Sequence, residues 1–364
     1  MVRLRILHVA SADLWGGAEA QLDSLCGASI AVGLEPSAVL LNPGSELARR
    51  LRARGIAVLE LDESRSSAPR LLRAVLAHAR RLRPHVIHTH RFKENIIGGT
   101  AARLCGAGSI RTLHGAPEPE LLKGSWRRRL LDSVDAFAAR HFQSHVVAVS
   151  DELKRKVTPQ FPGARIVVVP NGVDVAQLRA AAGTADESPV ARLAFFGRLV
   201  PVKRVDLLLA AAAETRDLAV PFELDIVGDG PERARLEAES ARLGLGERVR
   251  FRGFQPDAAA WMNRMDAVVL TSDHEGLPMV VLEALALGVP MVARAVGGIP
   301  EVLRAVNPQW LIDGDSPRAI AECLAQVLAR RGPRAARASL LPARYSAEAM
   351  ALNYLSLYQV AAAS

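Results

Sequence analysis

Residues 266–295, DAVVLTSDHEGLPMVVLEALALGVPMVARA, decide the fold of this chain. The apolar run 266–272 predicts a buried strand, and the Gly-Leu-Pro turn after it opens a helix over 279–287. The apolar run 289–295 predicts a second strand. A strand, a helix and a strand in this order form a βαβ unit, whose two strands lie parallel in one sheet.

The same alternation runs through the rest of the 364 residues. Strands are predicted at 4–10, 36–42, 57–62, 85–90, 109–115 and 145–150, and again at 192–198, 222–228 and 248–254. The stretch 165–174 ends the first series with a Pro-Asn-Gly turn. Helices are predicted at 68–83, 203–215, 231–243 and 346–362. The pattern predicts an α/β fold with two Rossmann-like domains, 1–168 and 169–345, because one core rarely exceeds about 300 residues. Ligands of such sheets lie beyond the carboxyl ends of the strands, so we expect the site in a cleft that the two domains face.

The net charge of +8 is unevenly distributed, with 25 basic and 15 acidic residues in 1–168 against 21 and 23 in the remainder. A basic half suits nucleic acid, anionic lipid or a phosphorylated substrate. Nucleic acid is disfavoured, because no recognised binding motif or aromatic-basic stacking pattern is present. Three distant cysteines argue against a disulfide framework. No signal peptide or membrane span is evident, and we expect a cytoplasmic protein.

Two glutamates are the strongest chemical signal. Glu275 and Glu283 flank the turn Gly276, Leu277, Pro278 and the start of a helix, whose free N–H groups suit a phosphate. Glu283 is predicted to hold a ribose diol, and Glu275 to hold sugar hydroxyls. A solvated glutamate explains either residue taken alone.

Two cations follow the strand that ends at Gly197. Arg198 and Lys203 fit a diphosphate, which gains charge as it leaves, although two surface cations are the ordinary alternative.

The first half offers weaker candidates. Gly16 and Gly17 allow a ligand close to the start of a helix, and an ordinary turn explains them as well. His114 ends another strand and precedes a glycine, whereas His85, His88 and His90 near a different strand end are interpreted as structural.

No metal site is predicted. Asp313-Gly314-Asp315 is interpreted as a polar turn, and no histidine or cysteine cluster has metal-ligand spacing. GDGPER (228–233) begins like a dinucleotide fingerprint, but Arg233 stands at the third glycine position.

These motifs, in their order along the chain, resemble the retaining, family-4 type glycosyltransferases of the GT-B fold. The resemblance extends from GGAE (16–19) to VGGIPE (296–301) and includes VVVPNGVD (167–174), FFGRLVPVKRVD (195–206) and LDIVGDGPER (224–233). It implies transfer of a sugar from a nucleotide diphosphate donor, without a metal or other cofactor. It also implies that the helix 346–362 packs back on the first domain.

The resemblance assigns a role to each candidate. Arg198 and Lys203 bind the diphosphate, Glu283 binds the ribose, and Glu275 contacts the transferred sugar. The backbone from Gly276 to Pro278 lines the same pocket. The remaining family positions are Gly16 and Gly17 at the phosphates, His114 at the sugar, and Val227 and Phe254 at the base.

The family meets its acceptor mainly with the first domain, here the basic one. The acceptor is expected to be a glycan or a lipid-linked group. The basic segment 123–142, with Trp126 and arginines at 127–129, is hypothesised to touch the inner membrane surface. A surface helix whose leucines face the core explains the segment equally well.

Two other functions remain open from the sequence. A nucleotide-sugar epimerase of the same fold would release an altered sugar from donor alone. A non-catalytic nucleotide-sugar binding protein would bind donor without releasing nucleotide diphosphate.

Overall fold

The chain forms two compact units. A computed structural model describes residues 3–12, 15–115, 126–215 and 221–363. The first unit comprises residues 1–172 together with 347–364, and the second comprises residues 173–346.

The first unit is built on a sheet of seven strands. They are β1 (Arg5–Ala10), β2 (Glu35–Leu40), β3 (Ala57–Glu60), β4 (Val86–Thr89), β5 (Gly108–Leu113), β6 (His145–Ala148) and β7 (Ile166–Val168). Their order is β3-β2-β1-β4-β5-β6-β7, and every neighbouring pair is parallel. The helices of the connections are α1 (Gly17–Ala31), α2 (Glu46–Ala53), α3 (Ala68–Leu82), α4 (Phe92–Cys105), α5 (Trp126–His141) and α6 (Asp151–Val157).

The second unit repeats the design with six parallel strands. They are β8 (Ala191–Phe196), β9 (Phe222–Val227), β10 (Val249–Gly253), β11 (Ala267–Leu270), β12 (Met291–Arg294) and β13 (Leu311–Ile312), in the order β10-β9-β8-β11-β12-β13. The helices are α7 (Val175–Ala182), α8 (Val205–Glu214), α9 (Arg233–Arg242), α10 (Ala258–Asn263), α11 (Met279–Ala286), α12 (Ile299–Val306) and α13 (Pro317–Ala329). The predicted α/β fold with two Rossmann-like units is confirmed.

Helix α14 (Ala347–Ala362) belongs to the first unit. Its buried side chains Met350, Tyr354 and Tyr358 pack with Ile6 and Val86 of the first sheet. The end of α14 approaches β5 so closely that a Cβ on Gly108 would lie 2.0 Å from the Ala361 carbonyl oxygen. Only glycine permits that contact, so Gly108 allows α14 to pack directly against the first sheet.

Two boundaries of the predicted elements have an identifiable local cause. In the stretch 165–174 the strand ends at Val168, ahead of the predicted Pro-Asn-Gly turn, because Pro170 has no N–H for a sheet ladder. The helix predicted at 203–215 begins at Val205, because residues 201–203 form a 3₁₀ turn and Arg204 has a left-handed backbone, with φ of 47°. Among the described residues, no helix is both long and apolar enough to span a bilayer.

Candidate active site

A partly buried ion pair joins two loops of the second unit. Lys203 lies between β8 and α8, and Glu275 lies between β11 and α11. Because β8 and β11 are paired neighbours in a parallel sheet, the loops that leave their carboxyl ends meet. Lys203 Nζ lies 2.7 Å from Glu275 Oε1, and only 9% of the glutamate side chain is exposed. Two residues that the sequence predicted separately are therefore direct partners.

Hydroxyl groups at the end of β11 hold this pair in position. Ser272 Oγ donates to Glu275 Oε1 at 2.7 Å. Thr271 Oγ1 donates to the backbone oxygens of Lys203, at 3.1 Å, and of Arg204, at 2.8 Å. Ser272 and Thr271 are not among the predicted site residues, although two hydroxyl residues directly after an apolar strand are a signal that the sequence contains.

The backbone beside Lys203 is held in an unfavourable conformation. Arg204 has a φ of 47°, a region that non-glycine residues rarely occupy. Its guanidinium lies 3.3 Å from carboxylate oxygens of both Asp206 and Asp273, and Asp273 also pairs with Arg294. These pairs stabilise the strained residue and leave Lys203 as the cation that faces Glu275.

Arg198, the other predicted cation, lies five positions before Lys203 on the same connection. Its side chain is exposed, and no ion pair to it is recorded within the described part of the chain. Gly197 before it donates its N–H to the Val227 oxygen at 3.0 Å. The Arg198 guanidinium is thus open to an anionic ligand at the carboxyl edge of the sheet.

The ends of β8, β9 and β10 are linked to one another. Gly228 donates its N–H to the Gly253 oxygen at 2.8 Å. With φ of 134°, Gly228 also allows a close approach, since a Cβ there would lie 1.9 Å from the Gly197 oxygen. Phe254, directly after β10, is 51% exposed, whereas Val227 is buried. An exposed aromatic ring beside these strand ends is suited to stacking on a flat ligand.

The turn Gly276–Pro278 is clamped by the loop that follows β12. Gly298 donates its N–H to the Gly276 oxygen at 2.6 Å. Gly297, with φ of 58°, comes so close that a Cβ there would lie 2.2 Å from the backbone carbonyl oxygen of Glu275. Leu277 is buried, and Pro278 stands at the start of α11. Glu283 lies on α11 between buried residues and is itself half-buried.

In the first unit, Gly16 and Gly17 stand at the start of α1. Gly16 is extended, with φ of −155°, and its oxygen accepts the first bond of the helix from Ala20 at 2.9 Å. In the first turn of α1, Glu19 is buried and pairs with Arg91 at 2.7 Å. The carboxylate of Glu19 takes the place at this helix start that an anion would favour.

His114, directly after β5, belongs to a cluster of four imidazoles. His114 Nε2 lies 3.2 Å from His90 Nδ1, and His90 Nε2 lies 3.1 Å from His8 Nδ1. His88 stacks on His90, with ring centres 4.3 Å apart. His88 and His90 are interpreted as structural from the sequence, and His8 is not among the predicted residues, because sequence patterns do not indicate that β1, β4 and β5 are neighbours.

His88 connects this cluster to helix α14. Its Nδ1 lies 2.7 Å from the Tyr358 hydroxyl, and its Nε2 lies 2.8 Å from Thr112 Oγ1. Thr112 Oγ1 lies in turn 2.6 Å from the Tyr354 hydroxyl. Both nitrogens of His88 are therefore engaged in hydrogen bonds.

Burial keeps the cluster uncharged. It lowers the pKa of both His8 and His114 to about 3, and it lowers the pKa of His88 and His90 well below the ordinary value. Desolvation is the largest cause in each case, and repulsion among the imidazoles and from Arg91 adds to it for His90.

One grouping has the composition of a metal site. Nitrogens of His8, His88 and His90 lie within 4.8 Å of one another, although no spacing in the sequence indicated it. A metal bound there would have to displace Thr112 or Tyr358 from His88. Neutral imidazoles that are already hydrogen-bonded to one another, to Thr112 and to Tyr358 fit a hydrogen-bonded network better than a metal centre.

Comparison with known families gives two matches that together cover most of the chain. Residues 144–340 match Glycosyl transferases group 1, and residues 15–177 match Glycosyltransferase Family 4.

The chain is also similar to individual proteins. The D-inositol 3-phosphate glycosyltransferase of Salinispora tropica is 31% identical over 285 residues, which cover 69% of this chain and 58% of that protein. The 2-deoxystreptamine glucosyltransferase of Streptomyces kanamyceticus is 29% identical over 252 residues, which cover 64% of each chain. Each match thus spans less than two thirds of the relative's length.

Solved structures with the same fold cover the chain almost completely. Anabaena Alr3699/HepE, in complex with UDP and glucose, has a TM-score of 0.80 at 21% identity, over 98% of this chain and 100% of that one. WaaG, involved in lipopolysaccharide biosynthesis, has a TM-score of 0.67 at 17% identity, over 99% and 98% respectively.

Proposed function

The chain belongs to the glycosyl transferases of group 1, the family-4 type with the GT-B fold, and from this premise we propose that it transfers a hexose-type sugar from a UDP- or GDP-linked donor to a glycan or lipid-linked acceptor. The transfer retains the configuration of the anomeric carbon. Its relatives include a D-inositol 3-phosphate glycosyltransferase and the Escherichia coli protein WcaL, named for colanic acid biosynthesis. The colanic acid relative, together with the fold shared with WaaG, supports a role in the synthesis of a cell-surface polysaccharide or glycolipid, which we place in the cytoplasm.

The ion pair of Lys203 with Glu275 carries the proposal. A nucleoside diphosphate gains negative charge as the bond to the sugar breaks, and an ammonium fixed beside it lowers the barrier. Glu275 Oε1 accepts hydrogen bonds from both Lys203 and Ser272. In this proposal the other carboxylate oxygen of Glu275 binds a hydroxyl of the sugar. One partly buried pair would thus bring the leaving group and the transferred sugar to neighbouring atoms.

The other residues of the second unit complete the donor site in this proposal. The exposed Arg198 guanidinium provides a second cation for the diphosphate, as a fork that can bind two oxygens. The start of α11 after Gly276–Pro278 directs N–H groups at a phosphate, and Glu283 accepts hydrogen bonds from the ribose. The exposed ring of Phe254 borders the base.

In the first unit, His114 is assigned to the sugar, and Gly16 and Gly17 are assigned to the phosphates. Glu19 weakens the electrostatic part of the second assignment, because it already places a carboxylate at the start of α1. The two glycines therefore act through their small size, which allows close approach of a ligand to the backbone.

A screen of nucleotide sugars by thermal shift tests the proposal, since a ligand that binds only the folded state raises its Tm. The expected result is stabilisation by one family of UDP- or GDP-sugars, followed by release of the nucleoside diphosphate when an acceptor panel is added. The release should persist in the presence of EDTA, because a metal is not part of the proposed site. An altered sugar formed from donor alone would identify an epimerase, and binding without release across the panel would identify a binding protein.

A further inference from the structure

Three of the four clustered histidines form a linear chain of hydrogen bonds across the first sheet. His8 lies on β1, His90 follows β4, and His114 follows β5. The bond between His8 Nδ1 and His90 Nε2 is 3.1 Å long, and the bond between His90 Nδ1 and His114 Nε2 is 3.2 Å long. The rings of His90 and His114 stack with an interplanar angle of 22°.

The chain has two free ends. Within the described residues, His8 Nε2 at one end and His114 Nδ1 at the other are buried nitrogens without a hydrogen-bond partner. His8 is fully buried, at 0% exposure, whereas His114, which directly follows a strand, is half-buried. Of the two ends, therefore, only the His114 end lies near the protein surface.

A neutral imidazole has one N–H and one bare nitrogen, so the bonds of the chain must all point in the same direction. In one arrangement each ring carries its proton on Nδ1, and the free N–H is that of His114. In the other arrangement each ring carries its proton on Nε2, and the free N–H is that of His8. The proton position on His8 thus determines whether His114 Nδ1 is a donor or an acceptor.

We propose that His8 and His90 are positioning residues that hold His114 in the Nδ1–H tautomer, which directs a hydrogen-bond donor toward an oxygen of the bound ligand. The preference follows from the buried end. Either arrangement leaves one terminal N–H without a partner in the protein. On the half-buried His114 a ligand oxygen can accept that N–H, whereas on the fully buried His8 it would stay unpaired, so His8 keeps its proton on Nδ1, where His90 accepts it. His90 then donates to His114 Nε2, and His114 is left with its proton on Nδ1.

Two observations support a chain of neutral rings. Burial lowers the pKa of His8 and His114 to about 3, so that both are uncharged at neutral pH. His88 does not compete for this chain, because its own nitrogens are bonded to Tyr358 and Thr112.

The inference concerns the tautomer of His114, and its catalytic consequence rests on the proposed function. With an Nδ1–H, His114 can donate to a sugar hydroxyl or to an oxygen of the leaving group, both of which accept hydrogen bonds. With a bare Nδ1 it could only accept, and an anionic oxygen at that position would be repelled.

Long-range ¹H–¹⁵N correlation spectra of the whole protein, labelled in its histidine rings, read the tautomers without any substrate. We expect protonated Nδ1 and bare Nε2 for His8, His90 and His114, each assigned by its own substitution. A protonated Nε2 on His114 would overturn the proposal. Simultaneous displacement of the signals of His8, His88 and His90 by stoichiometric Zn²⁺ would also overturn it, in favour of a metal site.

Two substitutions of His8 then separate positioning from packing. His8→Phe keeps the ring but removes the donor to His90, so His114 should populate both tautomers and kcat should fall several-fold with the donor KM nearly unchanged. His8→Asn retains an amide N–H near the position of Nδ1 and should recover part of that loss. The matched control is His141→Asn, at an exposed histidine of α5, which should leave both the spectra of the chain and kcat unaltered.

Equal kcat in His8→Phe and the unsubstituted protein would contradict the positioning role even if the tautomers are as expected. Failure of the proposed transferase activity is a separate result, because the spectra are recorded on the protein without donor or acceptor.

Discussion

At the scale of single residues, Lys203 and Glu275 neutralise each other across 2.7 Å, so removal of the lysine has two effects. It removes a cation from the departing diphosphate, and it leaves a largely buried carboxylate unpaired at the same place. We expect Lys203→Ala to lower kcat about 10²-fold, the usual loss when one fixed charge-stabilising group is removed. The affinity for the nucleoside diphosphate should change much less.

Steady-state kinetics and calorimetry with the nucleoside diphosphate separate these effects. Lys93→Ala is a matched control, because Lys93 pairs with Glu63 at 2.6 Å on the surface of the first unit. If Lys203→Ala has the same kcat as the control variant, the lysine takes no part in the reaction.

Glu283 is expected to behave in the opposite way. A ribose diol bound to its carboxylate contributes equally before and during the reaction, so Glu283→Ala should weaken nucleotide binding and leave kcat nearly intact at saturating donor. We expect an increase of about 10- to 100-fold in Kd, as for the loss of one hydrogen bond to a charged group. Calorimetry checks this against Glu322→Ala, an exposed glutamate of α13. An unaltered Kd would refute the ribose role.

At the scale of elements, α14 stabilises the first sheet through its two buried tyrosines. Tyr358→Phe removes the hydroxyl that lies 2.7 Å from His88 Nδ1 and leaves that buried nitrogen without its partner. We expect the free energy of unfolding to fall by about 1–3 kcal/mol. Leu352→Ala, at a residue of the same helix that is 48% exposed, should cost much less. Urea unfolding that ranks the two variants equally would show that the hydroxyl contributes nothing.

The histidines of β1, β4 and β5 make stability depend on pH. His8 and His114 have a pKa of about 3 in the folded protein, against an ordinary value of 6.5. Between these values the unfolded chain binds more protons than the folded protein, so the free energy of unfolding rises with pH. Each such histidine therefore destabilises the fold by about 1.4 kcal/mol for every pH unit below 6.5, and adds nothing above it.

Urea unfolding at pH 7.5, 6.0 and 5.0 measures this dependence. We expect a marked loss of stability between pH 6.0 and 5.0, and a shallower slope in His8→Phe, which has one such group fewer. His141→Asn, at an exposed residue, serves as the control and should keep the full slope. Equal stability at pH 7.5 and 5.0 would mean that the cluster is protonated in the folded protein at no cost.

The sequence predicted the parts of the site that depend on one chain segment, and it missed those that depend on strand order. Glu275, the turn Gly276–Pro278 and the start of α11 form one continuous stretch, so their arrangement follows from strand, turn and helix signals. His8 is different, because its register opposite His88 arises only when β1 and β4 pair across some 80 residues. Apolar periodicity indicates where a strand lies but not which strand lies beside it.

A similar limit applies to the start of α8. The apolar pattern of residues 205–214 predicted the helix, but it could not indicate that Arg204 has a left-handed backbone. That conformation is stabilised by Asp206 and Asp273, and the second of these lies 69 positions away on another loop. The exact position of Lys203 beside Glu275 depends on this tertiary contact, which no local propensity encodes.

At the scale of the whole molecule, the positive charge is concentrated in the first half, with 25 basic and 15 acidic residues in 1–168. Such a half attracts anionic surfaces at low ionic strength, and salt weakens the attraction. The segment 123–142 is the one hypothesised to meet the membrane. It lies partly outside the described residues, because its backbone is described only from Trp126 and its side chains only from residue 133. The described part of α5 carries two exposed apolar side chains, Val134 at 41% and Phe137 at 55%, and the exposed Arg140 follows one turn later.

We therefore expect the protein to bind vesicles that contain anionic lipid, and the binding to weaken as salt is added. Substitution of the arginines at 127–129 by glutamine should lower the partition coefficient up to about 10²-fold, because each arginine near the surface contributes about 1 kcal/mol. The matched control replaces Arg235, Arg242 and Arg318 by glutamine, which removes the same charge from ion-paired helix positions of the second unit. Vesicle sedimentation compares the unsubstituted protein with the two triple variants, which have the same net charge as each other. If the loss is the same in both triple variants, the attraction depends on total charge alone, and if neither loses binding, the segment does not meet the membrane.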